Sequence, residues 1–253
     1  MPREVGALSI VDARCTIGPG RVSSLSADEL VAQLAANDVE AAVIGPHDRC
    51  IAVANREGND LVLDACRRHP GRLIGFATVN PWFGEEAVAE LRRAVAAGLR
   101  GLILHPVLQG FLLADTVADP VVAVASELGL PVYVPTGTPV NALPLQLTEL
   151  ARRFPDARFI MGHMGHTDFW IDAVPAAAAV PNIYAEISYK QPHIIEDAIA
   201  QLGPDRVVFG SDAPFNDLRL ELEKFREADM DARARELVGA ETLLSLLPPE
   251  VTP

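Results

Sequence analysis

Two short apolar runs end in residues able to move a proton. Arg206-Val207-Val208-Phe209 leads into Gly210-Ser211-Asp212-Ala213-Pro214, and Phe159-Ile160-Met161 leads into Gly162-His163-Met164-Gly165-His166. Each run reads as a buried strand, which puts Asp212 and His163 at strand carboxyl ends. In an α/β barrel the chemistry gathers at those ends. An Asp and a His so placed are candidates for general acid–base work. Other strand tips add polar groups: His105 and Gln109 after one, Pro135-Thr136-Gly137 after another, and Glu186, Ser188 and Tyr189 closing a third.

The elements that must position these residues alternate from end to end. Expected strands are Ala7–Ala13, Ala41–Gly45, Leu73–Val79, Gly101–Leu104, Val132–Val134, Phe159–Met161, Ile183–Ile187 and Val207–Phe209. Helical patterns between them include Ala27–Ala36, Asn59–Arg68, Glu85–Ala97, Pro120–Leu128, Leu145–Arg153 and Ile194–Leu202, with a terminal helix from Asp229 to Leu247. Uniformly apolar strands are buried on both faces, as parallel strands covered by helices are. About eight βα units is the count for a closed (β/α)8 TIM-like barrel. An open doubly wound sheet predicts fewer strands, and no Gly-x-Gly-x-x-Gly follows the first strand. No linker interrupts the pattern, so the expectation is one barrel domain over residues 1–253.

Composition narrows the partners. A formal charge of −13 argues against nucleic acid and anionic membrane surfaces, both of which call for basic patches. Cys15, Cys50 and Cys66 cannot all pair, and they read as reduced thiols in a cytoplasmic protein. Met1-Pro2-Arg3-Glu4 lacks the apolar run of a signal peptide, and no stretch is apolar enough to span a membrane. A small-molecule substrate is the expected partner, and a homodimer is a reasonable prior for a barrel.

Several motifs stand in the order of a known family. Leu104-His105-Pro106 to Phe111, Leu130-Pro131 to Thr138, Arg153-Phe154-Pro155-Asp156, His163-Met164-Gly165, and Gly203-Pro204-Asp205-Arg206 to Pro214 together resemble the amidohydrolase-2 group of metal-dependent hydrolases and decarboxylases. The resemblance implies a barrel over nearly the whole chain. It also implies a metal held partly by an opening Asp-x-His-x-His, but Asp12-Ala13-Arg14-Cys15-Thr16 puts Arg14 and Thr16 at the histidine positions. Pro135 stands where a fifth-strand histidine is usual, and Ile103 where a lysine often precedes the fourth-strand His-Pro. His163 and Asp212 match the family's site residues directly. A divalent transition metal wants three or four His, Asp, Glu or Cys ligands, so a centre here requires His105, His166 or Glu186 to rebuild it. The expectation is a barrel with no metal and no cofactor.

That expectation restricts the chemistry. Zinc lowers the pKa of bound water from about 15.7 to about 7, help on the order of 12 kcal/mol at about 1.36 kcal/mol per unit. What stays feasible is hydrolysis of an activated ester or lactone, decarboxylation of an acid with an internal electron sink, or a proton-shuffling isomerisation. In the working assignment Asp212 is the general base and His163 the general acid or carbonyl polariser, with Arg14 clamping an anion. His105, Gln109, Thr136, His166 and Glu186 are further candidates for substrate contact. Arg14 keeps a second reading, in which it pairs with Asp212 and plugs the mouth. Asp212 also reads as a helix N-cap, and His163 as a core histidine. His47, His69 and His193 read as surface residues, Cys15 as core, and Trp82 and Phe83 as pocket wall or helix packing.

Three functional classes follow. The first is a metal-independent hydrolase of a small, carboxylated, activated ester or lactone. The second is a carbon–carbon lyase, a decarboxylase, with Arg14 in place of the metal that holds the substrate. The third is a non-catalytic barrel that binds a small molecule or a partner subunit. The first is the leading expectation, because the two acid–base residues are present while the metal positions are not.

Overall fold

The computed structural model describes residues 9–137 and 139–248. Ala7 and Leu8 of the expected first strand, Thr138 of the fifth-strand motif and the Met1–Glu4 segment lie outside them.

Eight parallel strands follow one another around a barrel: Val11–Pro19, Ala41–Pro46, Leu73–Gly75 continued at Ala77–Thr78, Leu102–Ile103, Pro131–Pro135, Arg158–Gly162, Ile183–Glu186 and Val207–Val208. The third strand is split at Phe76: its first half pairs with the second strand and its second half with the fourth. The ring closes between the first and last strands. Ala13 N–H donates to the Phe209 carbonyl at 2.9 Å, Thr16 N–H to Ala213 at 2.8 Å, and Asp212 N–H to Arg14 at 3.0 Å. The (β/α)8 barrel expected from the strand count is therefore present.

Inside the barrel, Val11, Ala13, Val43, Phe76, Ile103, Tyr133, Ile160 and Val208 form one buried cluster with Ala240, Leu243 and Leu246. The chain's last helical segment thus plugs the amino-terminal end of the barrel. It is broken where one helix was expected, into Ala232–Glu236, a π turn over Leu237–Glu241, and Thr242–Leu246. The reason lies in the barrel: Phe209 N–H takes the Val238 carbonyl at 2.8 Å, and Gly239 packs against the Ser9 carbonyl.

Two other elements have boundaries that differ from the sequence reading by more than two residues. The helix Asn55–Arg68 begins before Asn59 because the Asn55 side chain holds the Cys50 and Ile51 carbonyls. Its Gly58 hides the pattern, and it is needed where a Cβ would come within 2.6 Å of the Cys50 side chain. The first strand runs on to Pro19, past the Ala13 where the apolar run stops. Its register steps from Asp12 opposite Ala42 to Cys15 opposite Ile44, so Ala13 and Arg14 both oppose Val43. Such a bulge re-aims a side chain. Here it turns Arg14 into the mouth and leaves Cys15 in the outer core.

Asp12 fastens that bulge to the last strand. It is fully buried and accepts from the backbone N–H groups of Arg14 at 3.0 Å and Ser211 at 2.9 Å, and from the Ser211 hydroxyl and the Cys15 thiol. Burial pushes its carboxyl up to about 6, against the lowering by those donors. A carboxyl raised in the folded state favours folding fully below its unfolded pKa, and that contribution is lost as pH rises through about 6. Asp12→Asn is therefore expected to flatten the stability change between about pH 4 and 6 seen in the wild type by urea denaturation. Asp12→Ala strands several donors and is expected to cost about 3 kcal/mol.

Candidate active site

A cavity of about 310 Å³ opens at the carboxyl ends of the strands, lined by the polar residues Arg14, Thr16, Asp48, His105, His163, Tyr189 and Asp212 and by the apolar residues Ile51, Leu108, Pro135 and Phe215. A second lobe of about 210 Å³ shares His105, Pro135, His163 and Asp212 with the first and adds Thr136 and His166. The site's backbone is forced. His163, Met164, His166, Tyr189 and Asp212 all have positive φ, between 39° and 66°, and among the described residues the one other non-glycine so placed is Asp38. Left-handed conformations cost energy at such residues and cluster where function fixes geometry.

His163 is held from behind. Its Nδ1 lies 2.8 Å from the Ser188 hydroxyl, which donates in turn to Glu186 Oε2 at 3.0 Å. The hydroxyl's proton is thereby committed to Glu186, so Nδ1–H donates to Ser188 and Nε2 is left facing Asp212 Oδ2 at 3.9 Å. Burial alone would keep the imidazole neutral, but Asp212 and Glu186 outweigh it and hold its pKa above the usual value. Asp212 accepts from the Tyr189 hydroxyl at 2.9 Å, and its Oδ1 lies 3.9 Å from Arg14 Nε. It caps no helix: the next one, Leu218–Glu227, is capped by Asp217.

The other histidines at the mouth are uncharged. His105 accepts the Leu108 N–H at Nδ1, which leaves Nε2–H as its free donor, and burial pushes its pKa down to about 3. Burial and the neighbouring His163 lower His166 as well. Thr136 lines the second lobe, but its hydroxyl is occupied, donating to the Gly162 carbonyl and accepting from Gly165 N–H.

Two expected contacts stand behind the wall. The Glu186 carboxylate is fully buried and accepts from Tyr133 OH, His163 N–H and both Ser188 donors. Gln109 is spent fixing its loop, accepting from His105 N–H and donating to the Val79 carbonyl. Tyr189, noted at its strand tip without a role, bonds Asp212, and the residue overlooked is Lys190, whose buried ammonium donates to the His166 carbonyl. His47 is buried rather than superficial, edge-on to Phe215. It is the residue just past the Ala41–Pro46 strand, and the tip rule that found His163 would have flagged it. Trp82 stays 61% exposed and lies outside both lobes of this cavity, while Phe83 lines a separate cavity with Val53 and Glu86.

The amidohydrolase sequence profile matches residues 24–244. The chain belongs to the amidohydrolase family. Among its curated relatives, gamma-resorcylate decarboxylase of Rhodococcus jostii is 26% identical, over 80% of this chain and 79% of its own. Solved structures of the same architecture include 2,6-dihydroxybenzoate decarboxylase from Rhizobium, with a TM-score of 0.77 at 17% identity, covering 95% of this chain and 98% of that one. Another is the dihydroxybenzoic acid decarboxylase of Polaromonas sp., solved with manganese and the inhibitor 2-nitroresorcinol (TM-score 0.76, 18% identity, 95% and 97% covered).

These relatives correct the leading functional expectation. The Rhodococcus relative, matched over 80% of this chain, is a decarboxylase, so ester or lactone hydrolysis is set aside. The coarser reading, an enzyme acting on a small molecule, stands. The manganese of the Polaromonas structure raises the question of fit. Among the described residues no group of three or more His, Cys, Asp or Glu is placed to hold a metal ion. Arg14 and Thr16 occupy the first strand, Pro135 ends the fifth, and Glu186 is saturated by protein donors. The donor set of this amidohydrolase does not fit a divalent cation.

The held imidazole yields a direct expectation. Glu186→Gln removes one of the two negative charges that raise His163, so the His163 pKa, read by imidazole NMR titration, falls. An unchanged pKa would contradict the role given to the Glu186–Ser188 relay.

Proposed function

We propose that this amidohydrolase is a carbon–carbon lyase that removes CO2 from a small aromatic acid bearing an ortho hydroxyl. One observation carries the reading: His163, with its pKa raised and Nδ1 engaged from behind, turns Nε2 into a cavity that is also lined by the buried Arg14 and by apolar Ile51, Leu108 and Phe215. The decarboxylase relatives add to it, since the Rhodococcus protein spans most of the chain.

An aryl carboxylate does not lose CO2 directly, because the bare aryl anion is too unstable. A proton must reach the ring carbon first, and an ortho oxygen makes that carbon basic. In the proposed step the Nε2–H of protonated His163 delivers the proton to the carbon carrying the carboxylate. The carbon–carbon bond then breaks, and its electron pair returns to the ring, restoring aromaticity as CO2 departs. One proton is consumed and one CO2 released, and neutral His163 is reprotonated from solvent. Asp212 keeps the imidazolium stable until transfer. Tyr189 fixes Asp212, and His105 offers a neutral Nε2–H to a ring substituent. A positioned acid of this kind is worth about 10²–10⁴-fold in rate.

The test is CO2 release from a panel containing 2,6-dihydroxybenzoate, 5-carboxyvanillate and salicylate. At least one acid is expected to turn over, with a loss of about 10²-fold or more in His163→Asn. The rate is expected to fall as pH rises through the raised His163 pKa, since the protonated form is the donor. No release from any ortho-hydroxy acid, or full activity in His163→Asn, would contradict the proposal.

A further inference from the structure

The mouth holds a charge that the acid–base pair leaves unexplained. Arg14 is 3% exposed, and its Nε and Nη1 are both out of water without a hydrogen-bond partner. The contact to Asp212 is long, at 3.9 Å, and the guanidinium lies 5.5 Å from the Tyr133 ring centre. A buried charged donor lacking an acceptor is expensive to keep. This one is kept by construction. The first-strand bulge aims it inward, and Gly45 clears its seat, since a Cβ there would come within 2.7 Å of Nη1.

We infer that Arg14 is the anion-binding group of this cavity, and that its guanidinium takes the charged oxygens of a small aromatic acid at the position where the family's first-strand histidines would bring a divalent cation. The guanidinium is a rigid fork of N–H donors, which matches two adjacent oxygens. The ligand class follows from the walls: Ile51, Leu108 and Phe215 suit a flat apolar body, and Arg14 its anionic edge. The inference deepens the decarboxylase reading and rests on it only for which oxygens are held. A cation gripping the departing carboxylate alone would stabilise the bound acid more than its transition state. A fork spanning one carboxylate oxygen and the ortho oxygen keeps its hold where charge collects as CO2 leaves.

The experiment measures salicylate and benzoate binding by titration calorimetry to chelator-treated wild type, Arg14→Lys and Arg14→Met, with elemental analysis and melting curves on the same samples. Wild type is expected to bind at millimolar concentration or better with far less than one equivalent of metal. Arg14→Met is expected to lose at least about tenfold in affinity, or about 1.4 kcal/mol, in a variant that its melting curve shows to be folded. If Arg14→Met fails to fold, Arg14→Lys reads the same loss, since an ammonium cannot span two oxygens. Failure of both acids to bind wild type would overturn the inference. So would undiminished binding to the variants, or binding that returns only with about one equivalent of manganese or zinc. Arg14-dependent binding without CO2 release would sink the decarboxylase reading and leave this inference standing.

Discussion

A positive charge held out of water at the barrel mouth is the constraint to which the rest of the site answers. Removing the Arg14 guanidinium from solvent is tolerable where negative charge lies close, and Asp212 supplies part of it at 3.9 Å. Asp212 also stabilises protonated His163, so one carboxylate serves two cations. Its own position is secured by the Tyr189 hydroxyl and by backbone pairing between Asp212 and Arg14 across the barrel seam. The charges that would do the chemistry and the hydrogen bonds that close the barrel share the same few residues.

A second layer keeps those residues from relaxing. Glu186 gathers four donors behind His163, and Gly210 permits its approach, since a Cβ there would meet Oε1 at 2.5 Å. Asp12 does the same for the Arg14 bulge. The buried Lys190, which burial lowers to about 8, anchors the His166 carbonyl and with it the loop carrying both histidines. Five left-handed non-glycine residues persist at the mouth because the surrounding bonds over-determine them.

The strand-tip logic carried the barrel, and it carried His163, Asp212, His105 and His166 to the cavity, because apolar runs are long-range signals of burial on both faces. What sequence could not tell was the direction of a side chain. Glu186 and Gln109 stand at the same kind of tip as His163, yet they point into the wall, where tertiary donors decide. The Arg14 bulge was hidden because a one-residue register step leaves no trace in composition. Asp12, part of the quoted motif, is the latch of the seam, a role visible only once Ser211 is beside it. The expected hydrolase went wrong at a different link. It ranked decarboxylation second because the family's decarboxylases hold their substrate with a metal whose first-strand positions are Arg14 and Thr16 here, and the decarboxylase relatives reverse that ranking.

The most direct test of the account runs the reaction in deuterium oxide with an ortho-hydroxylated aromatic acid that protects the fold against heat, and follows it by proton and carbon NMR. The account predicts one deuterium on the carbon that carried the carboxylate, with one equivalent of CO2 released. Recovery of the bound acid unchanged, without CO2 and without deuterium at that carbon, would contradict it.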